Sequence, residues 1–344
     1  MIVRVQVLVL LLALAAGASP ARAQTAQVTV CHAGSLQAAF ADIEREFTAR
    51  HAGGRVNDVS GGSVALAGRM AAGAQPCDVF AAADYLDIDL LLKPLGLADY
   101  TIVFAKGRMV LAYLATDPLT AGIAAPGEFK PPASIPKAAP AWYRTILQAG
   151  VRLAGSHPFL DPAGYRAHMI FELAETYYGV PNLYHQLLEH YTIIPAVGGS
   201  GAAGRTLGDG FDFQFIYEHS AAAAAAANPA YRYVTLPDRI DLSTSLNHDY
   251  YARAAVAMPG IGQRDHSSTV SVPAARVAWG LTIPKGRSSE AATAFVATVL
   301  GTAGTAALTT HGPAPVTPAY VSRADAGRLP RELQALVQAG DSPP

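Results

Sequence analysis

An α/β fold in two lobes is the class this chain predicts, and three observations carry it. Short β-branched segments alternate with helices of apolar periodicity; a Pro-rich stretch interrupts the pattern, and an apolar strand returns late in the chain. The alternation begins with strand Val28–Cys31 and a helix from Ser35 to about Arg50. Leu36, Ala39, Phe40, Ile43 and Phe47 fall on one face of that helix. Strand Arg55–Val59 leads to helix Val64–Ala72, and strand Asp78–Ala81 leads to a helix opened by Asp84. Repeated strand–helix order implies a mainly parallel sheet covered by helices, with ligands beyond the carboxyl ends of its strands.

Ile102–Phe104 and Met109–Tyr113 run into the Pro-rich residues 118–140, read as a crossing into a second lobe. That lobe reads as strand Val151–Ala154, helices Pro162–Tyr178 and Pro181–Tyr191, strand Phe211–Tyr217 and an alanine-rich helix at Ala221–Ala227. Strand Arg276–Thr282 reads as the return, followed by helix Ser289–Leu300 and a last helix, Arg331–Ala339, ended by Gly340. The expected division is 24–112 with 278–344 for lobe 1 and 113–277 for lobe 2.

Residues 1–23 read as a signal peptide: Arg4, an apolar run from Val7 to Ala16, and Ala21-Arg-Ala23 as a cleavage site. Cleavage near Ala23 leaves 321 of the 344 residues, takes the net charge from −1 to −3, and places the mature chain in a periplasm. With 51% hydrophobic and 15% charged residues, the chain has material for a large core. It has no dense basic block, which argues against nucleic acid or an anionic membrane as partner. Of the two cysteines, Cys31 ends one expected strand and Cys77 begins another. In neighbouring parallel strands these ends lie about 13 Å apart, beyond the ~7 Å reach of a disulfide. Two free, buried thiols are therefore expected.

Chemistry concentrates at two Gly-Ser steps, Gly34-Ser35 and Gly62-Ser63, each between a strand and a helix. Free N–H groups and the positive end of the helix dipole make such a place suited to a small anion. Asp161, before Pro162, reads as a helix cap or a ligand, and Glu218 ends a strand. Gly199-Ser-Gly201-Ala-Ala-Gly204 matches a dinucleotide fingerprint without its strand–turn–helix setting and reads as a loop. His185 and His190 fall on different helix faces, and Tyr177-Tyr178 and Tyr250-Tyr251 read as packing before iron ligands.

Eight stretches in order resemble the tungstate/molybdate-binding proteins of ABC importers, the WtpA-type branch of the ModA family. They are His32-Ala-Gly-Ser-Leu36, Gly62-Ser-Val-Ala65, Asp78-Val-Phe-Ala-Ala-Ala-Asp-Tyr85, Met109-Val-Leu-Ala-Tyr113, Asp161-Pro-Ala-Gly-Tyr-Arg166, Tyr217-Glu-His-Ser220, Gly280-Leu-Thr-Ile-Pro284 and Pro315-Val-Thr-Pro-Ala319. The resemblance implies a type II periplasmic binding fold with two crossing strands and the ligand in the cleft between lobes. It implies oxyanion contacts from Ser35, Ser63, Gly34 and Gly62. Asp161 and Glu218 would complete a six-coordinate tungsten or molybdenum, with Gly164, Tyr165 and Tyr217 around them. It also implies a monomer that needs no cofactor and no catalytic residue, and hands its ligand to an ABC permease. Sulfate-type oxyanions or ferric iron are the alternative ligands, and an enzyme on a similar two-lobed scaffold is the more distant alternative.

Overall fold

A computed structural model describes residues 27–51, 53–121, 123, 142–194, 207–262 and 268–341. The chain opens with β1 (Gln27–Ala33), α1 (Gln37–Arg50), β2 (Arg55–Gly61), α2 (Ser63–Ala71) and β3 (Val79–Ala82), the strand–helix order expected. Next come β4 (Ile102–Lys106) and β5 (Met109–Leu114), then α3 (Trp142–Ile146), β6 (Leu153–Gly155), α4 (Pro162–Tyr178) and α5 (Leu183–His190). β7 (Tyr191–Ile193), β8 (Phe213–Tyr217), α6 (Glu218–Ala227), β9 (Tyr231–Thr235), α7 (His248–Tyr251), β10 (Ala255–Pro259) and β11 (Thr269–Pro273) follow. The last part holds β12 (Ala278–Thr282), α8 (Glu290–Leu300), α9 (Thr302–His311), β13 (Ala314–Ser322), α10 (Arg323–Ala326), α11 (Arg331–Gln334) and β14 (Val337–Gly340). The signal segment, Gly199–Gly204 and most of the Pro-rich stretch lie outside the described residues.

One sheet has seven strands in the order β14-β13-β4-β12-β3-β1-β2, and the other five, β7-β6-β8-β5-β9. β10 and β11 form a separate antiparallel pair. The expected parallel pairing holds for β1 with β2 and β3. It gives way to antiparallel pairing at β12, which lies between β3 and β4, and at β5, which lies between β8 and β9. The chain changes sheets between β4 and β5, at Gly107-Arg108, ahead of the Pro-rich stretch read as the crossing, and comes back into β12. These two passages run side by side: Gly107 N–H donates to the Val277 carbonyl at 3.0 Å. A side chain at Gly107 would meet the Trp279 ring at 3.0 Å, so glycine lets the crossing lie flat on the indole.

Packing follows the apolar periodicity. α1 buries Ala39, Phe40, Ile43 and Phe47, and the Phe47 and Phe295 rings meet edge to face at 5.4 Å. α4 is buried on most of its faces, capped by Asp161 and ended by Gly179 at φ 62. The chain's end differs from expectation. The expected helix Arg331–Ala339 stops after one turn, and β14 pairs in parallel with β13, Ala319 opposite Val337. An open strand edge offers Val337–Gly340 backbone partners along one side, which outweighs helix propensity in so short a segment.

The two cysteines are joined in a disulfide with their Cα atoms 5.7 Å apart, which corrects the expectation of free thiols. β1 extends to Ala33, so Cys31 is not at its end, and β3 starts at Val79, so Cys77 lies before it. Free of the ladder, Cys77 turns onto the face of β1 that packs with Leu66, Ala67 and Phe80. The bridge closes a loop across 46 positions. Replacing both cysteines by serine should lower unfolding free energy by about 3–4 kcal/mol on the chain-entropy relation. Urea midpoints of oxidised wild type and variant check this, and equal midpoints would contradict it.

Candidate functional site

The site is built from strand ends. Ala33 lies opposite Gly61 in the β1–β2 register, so the two Gly-Ser steps leave the sheet side by side, and β3 ends next to them. Ser35 sits in a single tight turn, Gly34–Leu36, and Ser63 is the fully buried first residue of α2. Both hydroxyls are oriented by N–H donors: Trp279 Nε1 donates to Ser35 Oγ at 3.0 Å, and Ala83 N donates to Ser63 Oγ at 2.9 Å. A hydroxyl that accepts still has its own proton to give. Among the described residues neither proton is used, so both serines can donate to an anion.

The other lobe meets these loops directly. The Leu160 carbonyl accepts from Ala65 N at 3.1 Å, and a Cβ at Gly62 would lie 2.4 Å from that oxygen and 3.4 Å from Asp161 Cβ. Only glycine permits this approach. Asp161 is thus brought to the Gly62-Ser63 step, where it caps α4 by accepting from Ala163 N at 2.9 Å. Burial raises the Asp161 carboxyl above the ordinary range, opposed by the bonds from Ala163 and Ser156. Gly164 is needed for a similar reason, since a Cβ there would lie 2.5 Å from the Ser156 carbonyl oxygen.

Glu218 opens α6 at the other step. Its neighbour His219 lies 2.9 Å from the Ser35 carbonyl oxygen through Nε2, and its carboxylate pairs with Arg108 Nε at 3.1 Å. No hydrogen bond or ion pair among the described residues joins Glu218 to Asp161. Each serine step therefore faces one of the two acidic helix starts.

Between them lies a buried ionic lock. Arg166 donates to the Ala83 carbonyl and the Tyr217 hydroxyl, both at 2.8 Å, and pairs with Asp84 Oδ2 at 2.9 Å. The Tyr165 hydroxyl reaches the same Asp84 oxygen at 2.8 Å and Asp87 Oδ1 at 3.2 Å. Burial works against the Arg166 charge, and Asp84 outweighs it, so the guanidinium stays charged. Burial, then Asp84, pushes the Asp87 carboxyl well above the ordinary carboxylate range. Tyr217 packs edge-on against Trp279 with ring centres 4.9 Å apart.

Tyr165 and Tyr217 stand where the sequence places them, at the site, and Arg166, Asp84, Trp279 and His219 join them without being expected there. A signal was present: Arg166 and Asp84 are opposite charges set in apolar surroundings, a pattern that calls for a buried partner. The tyrosine pairs do pack. Tyr178 lies against Tyr143 at 4.9 Å, and Tyr250 carries Arg253 over its ring at 4.9 Å.

The bacterial extracellular solute-binding protein family matches residues 28–313 of this chain. The chain belongs to that family. Among its relatives is a solute-binding protein of Methanoculleus marisnigri, 29% identical across 92% of this chain and 88% of its own length. The molybdate/tungstate-binding protein WtpA of Thermococcus kodakarensis is 27% identical across 90% of this chain and 86% of its own. In fold, this solute-binding protein is similar to the sulfate-binding protein SubI of Mycobacterium tuberculosis, with TM-score 0.58, 17% identity and coverage of 84% and 87% of the two chains. The periplasmic molybdate-binding protein of Azotobacter vinelandii gives 0.54 at 18% identity, covering 84% and 98%. These likenesses establish the two-lobed binding-protein fold.

Two outcomes follow for stability. Arg166→Met strands the Asp84 carboxylate in the interior and should cost about 3–5 kcal/mol in urea unfolding. A loss below 1 kcal/mol would show that the lock is idle. Burial also holds His168 and His219 down at about 4 against an ordinary 6.5. The unfolded chain therefore takes up these protons first, so their contribution is complete above about 6.5 and is lost as pH falls toward about 4. Unfolding free energies at pH 7.5 and 4.5 should differ less in His168→Gln and His219→Gln than in wild type.

Proposed function

We propose that this solute-binding protein captures tungstate or molybdate between its lobes, outside the cytoplasm, and delivers it as a monomer to the permease of an ABC importer. The observation that carries this reading is the pairing of each Gly-Ser step with an acidic helix start, Gly62 against Asp161 and Ser35 against the Glu218-His219 turn. The serine hydroxyls and the free N–H groups of α2 suit the oxygens of a small oxyanion. Carboxylates beside such a site would repel an anion. They become useful when they bind a hard, highly charged central atom through oxygen. Sulfur and phosphorus in their oxyanions do not accept further ligands, so the same carboxylates repel sulfate and phosphate and select against them.

Glu218 must leave Arg108 to join such a site. Their side chains are 37% and 40% exposed, and pairs of that kind contribute only about 0–1 kcal/mol, so the exchange is cheap. Support also comes from the WtpA relative, whose name states molybdate and tungstate. A second reading rests on the same ion pair. With Glu218 kept on Arg108, Ser35 and Ser63 would hold a tetrahedral oxyanion such as sulfate equally well.

Melting temperatures with tungstate, molybdate, sulfate and phosphate separate the readings, since a ligand at about 1,000 times its Kd adds about 4 kcal/mol. Large shifts with tungstate and molybdate alone are expected. Equal shifts with sulfate would favour the second reading. Asp161→Asn and Glu218→Gln should each weaken tungstate binding far more than they lower the stability of the free protein. If Asp161→Asn lowers stability alone, Asp161 is only a cap.

A further inference from the structure

On lobe 1, three side chains that the oxyanion site does not use converge beneath the Ser35 turn. β1 supplies His32, β2 supplies Asp58 and α1 supplies Glu44, with one ligand atom from each lying within 4.8 Å of the others. His32 is fully buried, and its Nδ1 lies 2.8 Å from the Ala33 carbonyl oxygen. A carbonyl only accepts, so Nδ1 holds the proton and Nε2 is left with a lone pair or a second proton. Nε2 lies 2.7 Å from Asp58 Oδ1, a separation that a shared proton or a shared cation would fill. Glu44 Oε1 is buried without a partner. A proton on Nε2 would answer to Asp58 and still leave the Glu44 oxygen unserved. One positive centre that accepts all three donors serves every group at once.

The geometry points to a site for one divalent cation of the zinc class, held by His32 Nε2 and by carboxylate oxygens of Asp58 and Glu44. Imidazole with two carboxylates is a donor set suited to zinc, whereas calcium and magnesium favour all-oxygen sites. The outer contacts are those that metal ligands use. The Ala33 carbonyl fixes the imidazole tautomer, and Gln37 Nε2 donates to Asp58 Oδ2 at 3.0 Å, leaving Oδ1 for the centre. Asp58 is partly exposed and gives the ion a way in. Three protein ligands leave a position for water, and the bound ion would tie β1, β2 and α1 together three residues before Ser35.

The test is calorimetric titration of the chelator-treated full chain with Zn²⁺, with Mg²⁺ and Ca²⁺ as comparisons, in the absence of any oxyanion ligand. One saturable zinc per chain is expected, weakened roughly tenfold or more in both Glu44→Gln and Asp58→Asn. Asp42→Asn removes the nearby surface pair with His311, 3.4 Å apart, and should leave binding unchanged. Melting of the metal-free variants separates ligand loss from unfolding, since Glu44→Gln should keep the wild-type midpoint. Anomalous scattering at the zinc edge should place the ion between the three side chains. No saturable binding, an affinity unmoved by Glu44→Gln and Asp58→Asn, or an ion located elsewhere would each overturn the assignment. None of these readouts depends on tungstate.

Discussion

The parallel register of β1 with β2 and β3 aligns Ala33 with Gly61 and His32 with Ala81. Because side chains alternate along a strand, a slip of one residue would reverse every face at once. Val28 and Val30 would lose the core, Cys31 would lose the face it shares with Cys77, and His32 would leave Asp58. The same register sends both Gly-Ser steps out of the sheet at one level. Serine hydroxyls from two distant segments can then serve one ligand without either loop having to reach.

Closure depends on a different kind of contact. Polar groups join the lobes beside apolar contacts such as Tyr217 on Trp279, and among them the Arg166–Asp84 pair is deeply buried, with Tyr165 and Tyr217 around it. A buried pair gains little net stability over an apolar replacement, because removing its charges from water costs about as much as their attraction returns. Its value lies in direction. Arg166 has carbonyl, hydroxyl and carboxylate partners at set angles, and only one docking of α4 on the end of β3 satisfies them all. Apolar surfaces would permit sliding, which a site assembled from both lobes could not tolerate.

Much of this was legible in the sequence where a local pattern has a local cause. α4 spans Pro162–Tyr178 as read, because Asp-Pro starts a helix and Gly179 stops it whatever lies around them. The Gly-Ser steps were visible for the same reason, since a strand, a glycine and a helix start are neighbours in the chain. What was hidden depends on distant partners. β14 exists because β13 offers an edge, and the disulfide exists because Cys77 leaves its strand. The Arg166–Asp84 pair joins residues that no short-range rule connects, and the Glu218–Arg108 pair likewise spans distant segments.

Selectivity for tungstate or molybdate depends on whether the carboxylates touch the metal atom of the oxyanion. X-ray absorption at the tungsten edge of the protein–tungstate complex measures this directly. Six oxygen neighbours in two shells are expected, four from the oxyanion and two more distant ones from Asp161 and Glu218, with the distant shell reduced in Asp161→Asn and in Glu218→Gln. A four-coordinate tungstate, unchanged from free solution, would contradict that expectation.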